Sequence, residues 1–332
     1  MTKFRLLLKL TMRQLKMEMA FIKEAFHFWR LTVKYNASNH TDKDIQKMQY
    51  TLLRENHTIE KGMSMRNPKK GFGQEKVKNL LIRLNRYVDL YAKEDSDFLN
   101  YPLSTIKGYI EYTKANGIEI PLIEKKFILL QKRVGKTNVD SHAGITSITR
   151  EEIINSCNQN FETLLYSRHS IRYFDDKPVS KELIEKALTL AQRTPSACNR
   201  QGWFTHVFMG DYSVKLIKWQ GGSTGFEDEI RCSILVTANL KAFLSYEVHQ
   251  AYVDGGLYAM NLINSLHSLG LGTIPLSCGF HRDKLKELSD FDIPENEVPI
   301  LIIGIGHLQP HFKVAVSERK DISVTNTYHQ DV

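Results

Sequence analysis

The chain is poor in cysteine. Among its 332 residues it carries four: Cys157, Cys198, Cys232 and Cys278, scattered and with no Cys-x-x-Cys pair. That spacing offers neither a disulfide framework nor a zinc pattern, and a reduced, cytoplasmic setting is the plain reading. No apolar run approaches the ~20 residues that span a bilayer. No uninterrupted apolar stretch precedes a small-residue cleavage site, so an ordinary signal peptide is not expected. The dinucleotide fingerprint Gly-x-Gly-x-x-Gly is missing, as are internal repeats and low-complexity segments. A stably bound dinucleotide on a Gly-rich turn is therefore not expected, but a transient nicotinamide needs no such turn.

Acidic residues are scarce in one place. The formal net charge is +8. Residues 1–35 hold Lys3, Arg5, Lys9, Arg13, Lys16, Lys23, Arg30 and Lys34 against Glu18 and Glu24, which is 8 − 2 = +6. The basic balance thus describes an N-terminal element and says little about the rest. In that element Phe4, Leu8, Leu15, Ile22, Phe26, Trp29 and Val33 recur near the 3.6-residue period, and the cations from Lys9 to Lys34 form a neighbouring strip. Two readings follow: a basic amphipathic helix on an anionic membrane surface, or a helix packed on the protein or a second subunit. Nucleic-acid binding is not expected, because the cations flank an apolar face and no reader motif accompanies them.

A hydrophobic content of 42% and a charged content of 25% are ordinary for a globular protein. At this length two domains are expected: a helical region over 1–140, then a second domain over 150–332. Helices are expected over 36–62 with Thr41 as N-cap, over 75–93, around 106–112 and over 123–130. Residues 134–149 lose periodicity and carry Gly135, Asn138, Ser141 and Gly144, so the linker is placed there. His57-x-x-Glu60 has a spacing that puts both side chains on one helical face. With no second pair to match it, a polar docking patch is expected rather than a metal site. No metal ligand is expected anywhere.

The second domain reads as a helix over 153–166, a helix over 181–193 capped by Ser180, strands over 204–209, 233–238, 272–276 and 299–306, and a long apolar helix over 249–269. Residues 211–230 read as a glycine-bearing loop. Short strands among helices give an α+β class, one sheet flanked by helices. Gly255 and Gly256 inside the apolar helix cost about 1 kcal/mol each relative to Ala, which points to close approach by another backbone.

Two segments concentrate chemistry. Arg168-His169-Ser170-Ile171-Arg172 sets two guanidinium groups and a hydroxyl within five residues, a donor set suited to phosphate. Pro195-Ser196-Ala197-Cys198-Asn199-Arg200-Gln201 is a turn-rich loop with two amides that both donate and accept. Amides of that kind can read the edge of a heterocycle.

With Leu269-Gly270-Leu271-Gly272-Thr273, these segments resemble the FMN-dependent nitroreductase family over about residues 155–320. The resemblance implies a nitroreductase-like sheet flanked by helices, FMN at a homodimer interface, and NAD(P)H as a transient electron donor. It implies an oxidoreductase acting on a small nitroaromatic- or quinone-like acceptor. On matching positions it places Arg168, His169, Ser170 and Arg172 at the flavin phosphate and ribityl chain, with Arg319 from the tail. Ser196, Asn199 and Gln201 would approach from the other subunit. It implies no catalytic acid or base from the protein. The sequence departs from the family where Gly202 precedes Trp203 and where His169 replaces a frequent Arg. The rival reading is a membrane-associated interaction protein that keeps the fold without turnover.

Overall fold

The computed structural model describes residues 2–35, 41–137, 139, 144–157, 159–243, 247–280 and 282–329. The chain forms two compact units, Met1–Tyr35 with Ile148–Phe312 and Asn36–Ser147 with Lys313–Val332. This differs from a division at 140–150 at both ends of the chain. The N-terminal helix groups with the later segment, and the C-terminal tail groups with the helical one.

Helix α1 (Thr2–Tyr35) stands first. Its large apolar side chains at Leu15, Ile22, Phe26 and Trp29 are about half exposed. Among the described residues, no helix is long and apolar enough to cross a membrane.

The unit of Asn36–Ser147 is built from α2 (Ile45–Met63), α3 (Gln74–Tyr91), α4 (Asn100–Ala115) and α5 (Pro121–Val134). Leu52, Ile59, Leu80, Leu84, Leu103, Ile106 and Phe127 are in its core; Leu103 precedes the helix expected around 106–112, because α4 starts at Asn100. The N-cap of α2 is Asp44, whose side chain accepts from Lys47 N–H, and not Thr41. Asp44 stands one residue ahead of the first helical turn, where a carboxylate meets the orphan N–H groups. The expected stretch 36–40 lies outside the described residues. So do Asn138 and Ser141 of the expected linker, whose last five residues form strand β1 (Ile145–Thr149).

Glu60 is fully buried and accepts from Tyr101 Oη at 2.7 Å and Gly144 N at 3.1 Å. His57 Nδ1 lies 3.6 Å from it and 3.5 Å from Ser317 Oγ. These partners all belong to the same unit, so the pair braces its own unit. Among the described residues no group of three His, Cys, Asp or Glu could hold a metal ion.

Later in the chain come α6 (Arg150–Cys157), α7 (Phe161–Ser167), α8 (Lys181–Ala191), β2 (Trp203–Met209), α9 (Asp211–Gln220), β3 (Cys232–Asn239), α10 (Gln250–Ser268), β4 (Leu271–Ser277), β5 (Glu297–His307) and β6 (His311–Ala315). The order β2-β3-β5-β4 makes one antiparallel four-stranded sheet, while β1 pairs with β6. The class is α+β, as expected. Ser180 caps α8 by accepting from Leu183 N–H. The expected helix over 153–166 is two helices. The expected loop over 211–230 begins with α9, which buries Leu216 and Ile217.

Helix α10 packs Tyr258, Leu262 and Leu266 into a core with Ile234, Val236, Ile303 and Ile305. Its two glycines have separate reasons. A Cβ on Gly255 would lie 2.6 Å from Ile300 Cγ1, whereas one on Gly256 would meet nothing within 4 Å. Tyr252, Val253, Leu257 and Met260 surround Gly256 on a face that is roughly half exposed.

Candidate functional site

The arginine segment is placed by the sheet. Arg168 follows α7 in extended backbone (φ −77°, ψ 122°). Ser170 then bridges Thr273 of β4 in parallel, and Ile171 N–H donates to the Thr273 carbonyl at 2.9 Å. Phe174 bridges Leu308, and Asp175 N–H donates to the His307 carbonyl at 2.9 Å. Gly272 and Gly306 are cross-strand partners of β4 and β5. A Cβ on Gly306 would overlap the Phe174 ring, and one on Gly272 would lie 3.2 Å from Phe174 Cε1 and 2.9 Å from Leu308 Cδ2. The two facing glycines leave the space that Phe174 fills, which fixes the segment along the sheet edge. Ile171 and Arg172 are buried.

Behind this segment lies His267, 4% exposed near the end of α10. Its Nε2 is 2.8 Å from Ser167 Oγ. The Ser167 hydroxyl donates to the Leu164 carbonyl at 3.0 Å. A hydroxyl has one proton, so the imidazole N–H is the donor in the first contact. Burial, with the charges of Arg168 and His169, pushes His267 down to about 4. The imidazole is therefore neutral at ordinary pH, and the positive charge of the site stays on the arginines.

The amide loop is held by α10 at its other end. Asp254, 1% exposed, accepts from Ala197 N–H at 3.2 Å and from Gln250 Nε2 at 2.7 Å. Ser196 Oγ accepts from Gln201 N–H at 2.9 Å. Arg200 makes a two-toothed ion pair with Glu247, at 2.6 and 2.8 Å. Cys198 (φ 51°), Asn199 (φ 54°) and Gln201 (φ 49°) all adopt left-handed backbone. That conformation costs non-glycine residues on the order of 1–3 kcal/mol each and is kept where surroundings enforce it. Gly202 is required by packing, because a Cβ there would lie 2.8 Å from Ala242 Cβ. Trp203 stacks on Tyr258 with ring centroids 4.8 Å apart.

Two donor groups thus rest on opposite ends of one helix. From Asp254 to His267 is 13 residues, about 20 Å at 1.5 Å per residue. Arg319 belongs to the unit of Asn36–Ser147 and donates to the Ser317 carbonyl at 2.8 Å; the structure does not group it with Arg168.

Sequence reasoning singled out the segments but not their supports, His267, Asp254 and Glu247. Asp254 did leave a signal, a lone carboxylate inside a largely apolar helix. Glu247 left none, since it lies 47 residues from Arg200.

The donor set suits a phosphorylated heterocycle. Arg168, Ser170 and Arg172 offer charge-assisted bonds, and Asn199 and Gln201 offer amides. Thr273 Oγ1, opposite Ser170 in the bridge, is buried without a hydrogen-bond partner in the described structure. It is a hydroxyl beside Ser170 whose hydrogen-bonding capacity is still unused.

Part of the chain matches known proteins. Residues 165–307 match the model of the nitroreductase family. A relative from Archaeoglobus fulgidus, named as an NADH dehydrogenase/NAD(P)H nitroreductase, is 29% identical over 146 residues, covering 43% of this chain and 83% of its own. The NAD(P)H nitroreductase YodC of Bacillus subtilis is 27% identical over 178 residues, covering 43% of this chain and 87% of its own. A nitroreductase from Exiguobacterium sibiricum, solved in complex with FMN, is 19% identical, with a TM-score of 0.46 over 52% of this chain and 98% of its own. Over residues 165–307 this chain is thus similar to the nitroreductase family.

Proposed function

We propose that the protein is an FMN-dependent oxidoreductase. It takes electrons from NAD(P)H and passes them to a small organic acceptor of nitroaromatic or quinone type. The observation that carries this reading is the pairing of a buried, arginine-bearing segment with a strained amide loop, each fixed by α10. Bound FMN would supply the hydride and electron chemistry, as cofactors of this kind do. The protein's own part is position and charge. Arg168, Ser170 and Arg172 would neutralise the phosphate, with His169 beside them, and Ser196, Asn199 and Gln201 would read the ring. Arg319 is proposed as a further phosphate cation on the strength of its motif alone.

The working form in this reading is a homodimer. The open face of α10 around Gly256 supports it, as does the separation of about 20 Å between the two anchors. Two copies of α10 crossing antiparallel at that face would set the amide-loop end of one beside the arginine end of the other. A composite site follows from that geometry.

The deciding experiment is to heat the purified protein and identify what it releases. About one FMN per chain is expected, together with NAD(P)H oxidation that depends on an added quinone. A colourless protein that binds no added FMN overturns the proposal and leaves the interaction protein without turnover.

A second reading concerns α1: a peripheral contact of a cytoplasmic enzyme with anionic membrane. Apolar side chains from Leu15 to Trp29 are exposed beside the cationic strip. Cations near such a surface add about 1 kcal/mol each, and salt screens them. Full-length protein should co-sediment with anionic vesicles at low salt, while protein lacking 1–35 should not. Indifference of the full-length protein to those vesicles sinks this reading.

A further inference from the structure

The flavin reading assigns the amide loop a task but does not say what holds it. Its backbone has three non-glycine residues in the left-handed region within four positions, Cys198, Asn199 and Gln201. Hydrogen bonds inside the loop, such as Gln201 N–H to Ser196 Oγ, are joined by ties from outside it.

Three ties reach the loop from the segment 242–254. Asp254 accepts from Ala197 N–H. Phe243 lies under the Arg200 guanidinium, 5.1 Å from ring centroid to Cζ. Glu247 takes both outer nitrogens of Arg200 at 2.6 and 2.8 Å, with both side chains about one-fifth exposed. The third nitrogen, Nε, donates back to the Ala197 carbonyl at 3.0 Å. One planar group therefore binds the loop's own backbone, an aromatic face and a distant carboxylate at once. Lysine has the charge but not the fork, so it could not make these contacts together.

We propose that Arg200 is the positioning residue of the ring-reading loop, acting through Glu247. It sits between Asn199 and Gln201, the two amides the loop presents. Its side chain turns away from them into the clamp. Its contribution is preorganisation, which raises affinity by removing the ordering cost of binding. The inference rests on the flavin reading for the loop's purpose, though not for the clamp itself.

The test uses Cys198 as a reporter, since it is exposed within the loop while Cys232 and Cys278 are buried. A nitroxide on Cys198, in a Cys157→Ser background, reports loop mobility without flavin. Arg200→Lys and Glu247→Gln should each mobilise the label and weaken FMN binding about tenfold, with the melting temperature little changed. Wild-type label mobility in Arg200→Lys and Glu247→Gln overturns the proposal. Should wild-type protein bind no FMN, the function falls while the label still decides the clamp.

Discussion

His267 Nε2 donates to Ser167 Oγ across 2.8 Å, one residue ahead of Arg168. A protonated ring could donate the same bond, so it is burial and not this bond that keeps the ring neutral. The imidazole is held near 4 by burial and by the two cationic neighbours, against an ordinary value of 6.5. Between those values the unfolded chain binds a proton that the folded chain refuses. Stability is therefore fully present above 6.5 and is lost as pH falls towards 4, by about 3 kcal/mol in all. Denaturant midpoints across pH 4–7 should show this slope, and His267→Gln should flatten it. An unchanged slope in that variant would place the titration elsewhere.

Arg168→Ala removes charge-assisted bonds of about 1.5–3 kcal/mol each. FMN should bind roughly 10- to 150-fold more weakly, with the fold retained. Asn199→Ala should also impair activity. Mixed and refolded together, the two impaired variants should regain part of it if one site draws on both chains. Mixtures as impaired as their components would mean each chain completes its own site.

Gly306→Ala should destabilise by about 1–3 kcal/mol, the usual range for overpacking. The added methyl has to displace the Phe174 ring. Because Phe174 seats the arginine segment, FMN affinity should fall along with stability. Phe174→Leu in the same chain should restore part of both. Thermal melts and flavin titration on the three variants check this.

Leu257→Arg introduces charge beside Gly256 on the face of α10 where Leu257 is half exposed. Sedimentation velocity should show a shift from dimer to monomer and a matching loss of flavin. A variant that remains dimeric with full flavin would move the interface to another surface.

Much of the fold was legible because period and caps agreed locally. The stripes of α3, α4 and α10 and the Ser180 cap needed only neighbouring residues. What escaped was non-local or masked by punctuation. Gly221, Gly222 and Gly225 follow α9 closely and read as loop markers for the whole stretch, while only pairing shows β6. Thr41 looked like a cap because hydroxyl and acidic residues cluster at 41–44, and the extended backbone of Asp44 (φ −150°) decided the matter. In the site, residue types announced the donors. The left-handed run at 198–201 contains no glycine to announce it, and the clamp partner of Arg200 is remote in sequence.

Phe174 lying across Gly272 and Gly306 also sets an order of events during folding. The ring belongs to a segment about 100 residues ahead of β4 and about 130 ahead of the far end of β5. Contacts of such separation carry a loop-closure cost and form late. The seat itself exists only once the two strands have paired and brought their glycines face to face. The arginine segment therefore docks onto a finished sheet edge. Flavin uptake then belongs after assembly of the sheet, and the nascent chain would have to fold without help from the cofactor it is built to hold.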